Sequence, residues 1–404
     1  AGSITVGLTS FINAEVGEIV FHAGKSISIG QQSFQQATKT AVLNLTSNGT
    51  VDIGLNSFQS SSVQAIHIEA QGQVTLGQQS FQQCYNIPTL DIESKEAGIT
   101  FGLTSFISAS IDEVILKGVS DISVGQQAMQ QVKRFDRLVV ETQGNFVATL
   151  ESFIASTIKQ IYISCNGSAV FEQQSFQETP DLNNFTVIAN EGIQFNLESF
   201  IKSNVNSMTL YTNGSVNFSQ QSFQDTKNLT EFTVYANGNI DFNLESFIDS
   251  NVNVMNLYTN GSVHFAQQSF QETKSLDNFT VVSLGNIDFD LEAFDDSNVA
   301  MITLEANGSI TFGQQAFHDC DSLTTVIIRS ASDITFGLEA FEDSDIQELN
   351  VSYINGTTGT ILLADSASDI TFEKGSFKEC SRLTSVNVDT PGNVNIQEKS
   401  FARP

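Results

Sequence analysis

The feature that most constrains this chain is a phenylalanine that returns every 23 or 24 residues behind a small residue. It falls at Phe11, Phe34, Phe58, Phe81, Phe106, Phe153, Phe176, Phe200, Phe223, Phe247, Phe270, Phe294, Phe317, Phe341, Phe377 and Phe401, and Met129 fills the slot once in QQAMQQ. One spacing is 25 and one is 36. The similarity also has a longer period, since Asn243–Phe289 lies on Asn196–Phe242, 47 residues earlier, with few changes. A period of this size predicts stacked coils, each contacting only its neighbours. Seventeen anchors imply about 17 coils in one repeat domain over residues 1–404.

Each coil carries two short β signals. An alternating run precedes the anchor, as in Ile240-Asp241-Phe242 and Val216-Asn217-Phe218. A second follows a polar turn, as in Met208-Thr209-Leu210 and Phe232-Thr233-Val234. Period-two alternation sends Ile, Val and Phe to one face and Thr, Asn, Asp or Ser to the other. Asn-Gly pairs (Asn213-Gly214, Asn237-Gly238, Asn260-Gly261, Asn307-Gly308) join the runs, where positive φ is expected. Five residues before the anchor a second aromatic column runs through Phe101, Phe171, Phe195, Phe218, Phe242, Phe265, Phe289, Phe312, Phe336 and Phe372. Each well-buried Phe contributes on the order of 2–3 kcal/mol. At about 4.8 Å per coil the stack is expected to form a rod or arc on the order of 80 Å long. Between Phe341 and Phe377 about a dozen extra residues predict a loop insertion at 354–365.

The segments SFKECSRLTSVNVDTPGNVNIQEKSF and AFHDCDSLTTVIIRSASDITFGLEAF resemble the Phe-anchored leucine-rich repeats of the BspA-like type. A small residue stands three after the anchor (Ala37, Ser61, Cys84, Thr226, Cys320, Cys380). Leu182, Leu229, Leu276, Leu323 and Leu383, or Val205, Val252, Val299 and Ile346, stand five or six after it. The resemblance spans essentially the whole chain. It implies a β-rich, leucine-rich-repeat-like right-handed solenoid, with coils of 23–24 residues and two short parallel strands per coil. It also implies roles in surface adhesion, recognition or scaffolding. The strict two-coil alternation and the Gln-rich turns depart from the family pattern.

Seventeen Lys and Arg against 45 Asp and Glu give a formal net charge of −28, which repels phosphate backbones and anionic membranes. No apolar run approaches the roughly 20 residues of a membrane span. No leader is visible, and the start at Ala1 points either to a processed chain or to a piece of a longer one. The four histidines (His22, His67, His264, His318) are scattered, and phosphate-loop, zinc and serine-elbow signatures are missing. We therefore expect no catalytic, cofactor or metal residues, and no cofactor. Asp288, Asp290, Glu292, Asp295 and Asp296 form the densest acidic cluster, and Glu151, Glu198, Glu245, Glu292 and Glu339 recur every second coil. Both read as solvated surface with room for weak cation binding. Cys84, Cys320 and Cys380 read as small buried residues, whereas Cys165, at a strand end, reads as a free or intermolecular thiol.

Gln pairs (Gln126-Gln127, Gln173-Gln174, Gln220-Gln221, Gln267-Gln268 among them) fill the turn of every second coil. They are expected to interleave with the Glu and Leu of the coils between. Twelve Asn-x-Ser/Thr sequons stand at Asn44, Asn48, Asn166, Asn184, Asn213, Asn217, Asn228, Asn260, Asn278, Asn307, Asn350 and Asn355. They are N-glycosylation candidates and point to a secreted or cell-surface protein. The leading expectation is an extracellular structural scaffold, a rigid glycosylated rod. Ordinary coils at both ends point to self-association into a filament or matrix. The alternative is an adhesion or recognition receptor that binds an extracellular protein or glycan on its strand face. The monotonous outward row Gln194, Asn217, Asp241, His264, Asp288, Thr311 favours the former. Exposed Tyr162, Tyr211, Tyr235 and Tyr258 favour the latter.

Overall fold

The structure, a computed structural model, describes residues 2–354 and 368–403. The predicted insertion beyond Ile354, and with it Asn355, lies outside them. The chain divides into two compact units, Ala1–Val205 and Asn206–Pro404. In the first, nine short strands (Ile4–Val6 to Gly192–Phe195) form one sheet and eight longer ones (Glu18–Ala23 to Asn184–Ala189) another. In the second, eight short strands (Ser215–Phe218 to Val394–Ile396) and eight longer ones (Ser207–Thr212 to Ser385–Asp389) repeat the arrangement. Pairing is parallel and steps one coil at a time, as in Ile240↔Val263 and Val263↔Ile287. The protein is thus a parallel β-solenoid, and among the described residues it contains no helix.

Alternation produces the core. In the short strand Ile240–Phe242 the outer residues are buried and Asp241 is half-exposed. The anchor phenylalanines stack face to face at 4.6, 4.8, 4.7 and 4.7 Å from Phe223 through Phe247, Phe270 and Phe294 to Phe317. In the first unit Phe34, Phe58, Phe81 and Phe106 stack at 4.9, 4.9 and 5.0 Å. The second column also stacks, with Phe218, Phe242, Phe265 and Phe289 at 4.7, 5.0 and 4.6 Å. Phe232 and Phe279, from long strands, meet these columns edge-on (Phe232–Phe247 5.3 Å, Phe265–Phe279 5.5 Å). The edge-on rings meet the parallel columns in the T-shaped arrangement that the aromatic quadrupole favours.

The anchor turn forms a third hydrogen-bonded flank. Residues two before and two after the anchor adopt left-handed φ without being glycine: Gln221 (53°) and Asp225 (61°) bracket Phe223, and Glu245 (53°) and Asp249 (57°) bracket Phe247. This conformation aims alternate N–H groups along the stack. Gln221, Phe223 and Asp225 donate to the carbonyls of Leu244, Ser246 and Ile248 in the next coil. Left-handed residues cost about 1–2 kcal/mol each, and three inter-coil bonds of about 1 kcal/mol each offset that.

The Asn-Gly turns correct an expectation. Among the described residues only Gly375 is a glycine with positive φ, so these turns do not need it. Their glycines are required by close approach: a Cβ on Gly261 would lie 2.6 Å from both Asn239 Oδ1 and the Gly238 carbonyl carbon. The asparagines form an amide ladder, in which Asn260 Nδ2 donates to Asn237 Oδ1 (2.7 Å) and Asn237 Nδ2 to Asn213 Oδ1 (2.8 Å).

The residue three after the anchor is buried, which keeps it small (Ala37, Ala109 and Ser61 are all 0% exposed), and several of the polar ones also bond an anchor carbonyl. Ser61 donates to the Phe58 carbonyl at 2.6 Å, Thr273 to Phe270 at 2.7 Å, and the Cys84 and Cys380 thiols to Phe58 and Phe341. All four cysteines are free and buried. Burial pushes the Cys84 and Cys380 thiols up to about 12 and Cys165 up to about 11. Cys165 is 3% exposed, so the intermolecular thiol expected there is out of a partner's reach.

Candidate recognition surface

The solenoid presents three kinds of outward surface, and they differ in how far they depart from pure repetition. On the anchor-turn edge the Gln and Glu columns interleave as expected. Gln174 Nε2 donates to Glu198 Oε2 (2.6 Å), and Gln221 and Gln268 donate to Glu245 and Glu292 (2.8 Å each). These carboxylates are spent on neighbouring coils, and the edge is a structural seam.

On the short-strand sheet the outward row runs in the predicted register. In the second unit Asn217, Asp241, His264, Asp288 and Thr311 stand side by side. His264 Nε2 lies 3.0 Å from Asp290 Oδ2. Burial pushes the Asp241 and Asp288 carboxyls up, and the His264 charge opposes this at both. Elsewhere, His318 pairs with Asp295 between adjacent anchor turns (2.9 Å) and His67 with Asp91 between adjacent long strands (3.0 Å). Among the described residues no group of three or more His, Cys, Asp and Glu is placed to hold a metal ion.

The long-strand sheet breaks the monotony. In the second unit the outward rows of Ser207–Thr212, Leu229–Ala236, Val252–Thr259 and Leu276–Ser283 are in register. One row reads Thr209, Thr233, Asn256, Thr280, and the row two residues on reads Tyr211, Tyr235, Tyr258, Val282. The tyrosine rings stack at 5.0 and 5.1 Å with planes within 10°. Tyr211 and Tyr235 are 42% and 41% exposed. An ordered, solvent-facing aromatic ladder has no part in the core, and surface aromatics of this kind are typical of binding faces.

In the first unit the strands Ile87–Ser94, Ile111–Gly118, Arg137–Thr142 and Gln160–Cys165 carry mixed charge. Lys95, Lys117, Lys133, Arg134, Arg137 and Lys159 are six of the chain's 17 cations. Most pair along the ladder: Lys159 with Asp136 (2.6 Å), Arg134 with Asp112 (2.9 Å), Arg137 with Glu113 (3.7 Å) and Lys117 with Glu141 (3.8 Å). The Lys95 ammonium bonds Glu69 and holds that carboxyl below its ordinary range. Two shallow grooves of ≈ 410 and ≈ 430 Å³ flank this face, the first lined by Lys117, Glu141, Tyr162 and Asn166 among others. Sequence reading passed over this cluster, although the crowding of cations between residues 95 and 159 of an acidic chain was the available signal.

The sequons separate by position. Asn48, Asn166, Asn184, Asn213, Asn228 and Asn260 are exposed at turns or strand entries. Asn44, Asn217, Asn278 and Asn350 sit half-buried within strands, and Asn307 is half-buried in a turn. Among the described residues no helix is long and apolar enough to cross a membrane.

The family described as BspA type leucine rich repeat region matches six copies over residues 4–133 and 242–366. A leucine-rich repeat protein from Bacteroides ovatus ATCC 8483, known from a crystal structure, is 12% identical with a TM-score of 0.35. That comparison covers 81% of this chain and 87% of the other. No curated protein matches.

Proposed function

Because this chain belongs to the BspA-type leucine-rich repeat family, we propose that it is an extracellular recognition or adhesion module acting through the outward face of its long-strand sheet. It binds rather than catalyses. The observation that carries this reading is the stacked ladder of exposed Tyr211 and Tyr235 and half-buried Tyr258. Rigid aromatics lose little side-chain entropy on binding and supply large contact area. Neighbouring Thr and Asn supply hydrogen bonds that adapt to a ligand. Secretion and N-glycosylation at exposed sequons belong to the same proposal, as does weak cation binding along the acidic edges.

The test is retention on glycan and extracellular-protein arrays. The triple variant Tyr211→Thr, Tyr235→Thr, Tyr258→Thr should lose binding, and Asp241→Asn with His264→Asn on the short-strand face should keep it. The reverse result refutes the reading. A second reading, a structural scaffold, is favoured by the Gln–Glu rungs that recur every second coil. It predicts that neither set of substitutions changes any binding.

A further inference from the structure

We infer that the long-strand face of the second unit takes a neutral, hydroxyl-rich glycan lying across the strands, an inference that rests on the recognition reading above. Three observations support it. The first is charge. The four strands Ser207–Thr212, Leu229–Ala236, Val252–Thr259 and Leu276–Ser283 contain no Lys or Arg, and their only acids are Glu231 and Asp277. This four-strand patch has no cation of its own to hold a sulfate, phosphate or uronate; Arg329, two strands beyond it, pairs with Glu305 (3.8 Å), and a chain of net charge −28 repels polyanions before contact. The second is relief. The tyrosines form a tall row beside the short side chains of Thr209, Thr233, Asn256 and Thr280, two residues back along each strand. Two residues of strand are about 6.6 Å, so the rows bound a narrow shelf.

The third is repetition. Rings stacked at 5.0 and 5.1 Å turn their edges and hydroxyls outward once per coil. The Thr and Asn side chains offer a hydroxyl or amide at the same interval. An extended polymer crossing the strands therefore meets one phenol and one short polar group per coil. The outward phenol hydroxyls, with the Thr hydroxyls and the Asn amide beside them, exchange hydrogen bonds with the hydroxyl groups of a neutral sugar chain. Glu231 accepts from sugar hydroxyls at the rim, as a carboxylate does in charge-assisted bonds.

The experiment is affinity electrophoresis and calorimetry against a neutral β-glucan, a neutral mannan and, as the anionic counterpart, polygalacturonate, with an extracellular-protein array alongside. The chain is produced without N-glycosylation, because Asn278 shares a row with Glu231 and Val254 on this face. We expect binding to at least one neutral polymer. It should weaken about tenfold in Tyr235→Ala, the loss of one aromatic anchor, with a smaller loss in Tyr235→Phe, which keeps the ring. Polygalacturonate should not bind. Unchanged thermal unfolding of Tyr235→Ala shows that the loss is not one of folding. Binding only to a protein, lost in the same variants, overturns the glycan assignment and leaves the recognition reading standing. Preference for polygalacturonate also overturns it. If the chain binds on the array but the tyrosine variants change nothing, both readings fail.

Discussion

Replacing Phe247 with alanine tests whether the aromatic columns, rather than the strands alone, hold the coils together. The ring is fully buried, stacks 4.6 and 4.8 Å from Phe223 and Phe270, and receives Phe232 edge-on at 5.3 Å. Removing it uncovers on the order of 100 Å² of apolar surface, or about 2.5 kcal/mol at 25 cal/mol per Å². A residual cavity on the order of 80 Å³ adds about 2 kcal/mol. The total of about 4–5 kcal/mol sits at the upper end for Phe→Ala. Phe11→Ala should cost far less, about 1 kcal/mol, because Phe11 is 41% exposed and stacks on one side only, against Phe34 at 4.7 Å. Phe247→Met should cost no more than about 1.5 kcal/mol, since Met129 already fills an anchor slot at 0% exposure. Urea unfolding measures the differences. Hydrogen exchange should show the loss concentrated around Phe247, because repeats couple mainly to their neighbours. If Phe247→Ala and Phe11→Ala cost the same, the columns are not the principal stabiliser.

Further predictions concern polar groups. Ser222 Oγ is buried without a partner, and alanine fills the equivalent position before Phe294, Phe317 and Phe341. Ser222→Ala should therefore be neutral or slightly stabilising, whereas Ser61→Ala, which loses the 2.6 Å bond to Phe58 O, should cost about 1 kcal/mol in urea unfolding. The Asp288 carboxyl is pushed up by burial, so the folded chain binds its proton more tightly than the unfolded one. Its contribution is full below the unfolded value and is lost as pH rises through the folded value. Asp288→Asn should thus melt higher than the parent at neutral pH, with the gap closing on acidification; a gap that widens in acid refutes this. Expressed through a secretory pathway, the chain should carry sugar at exposed Asn48, Asn166, Asn184 and Asn228, and little at half-buried Asn44, Asn278 and Asn350. Glycopeptide mass spectrometry reads the occupancy.

Sequence by itself determined the coil, its length and its inward set. A period of 23–24 residues with alternation on either side of Phe allows only stacking, because no coil can bury Phe223 or Phe242 alone. The predicted row Asn217, Asp241, His264, Asp288 and the interleaving of Gln221 with Glu245 follow from the same arithmetic, since residues one period apart become neighbours. Tertiary structure decided what periodicity cannot encode. Left-handed φ at Gln221 and Asp225 leaves no mark on residue type, because inter-coil hydrogen bonds rather than side-chain preference stabilise it. Gly261 looked like a turn residue, yet a neighbouring coil's approach is what requires it. Six tyrosines could be counted in the sequence. That three of them stack into one solvent-facing ladder depends on the register of Ser207–Thr212, Leu229–Ala236 and Val252–Thr259. Which residues repeat is a property of the chain; which repeated residues meet, and facing what, is settled only when the coils pack.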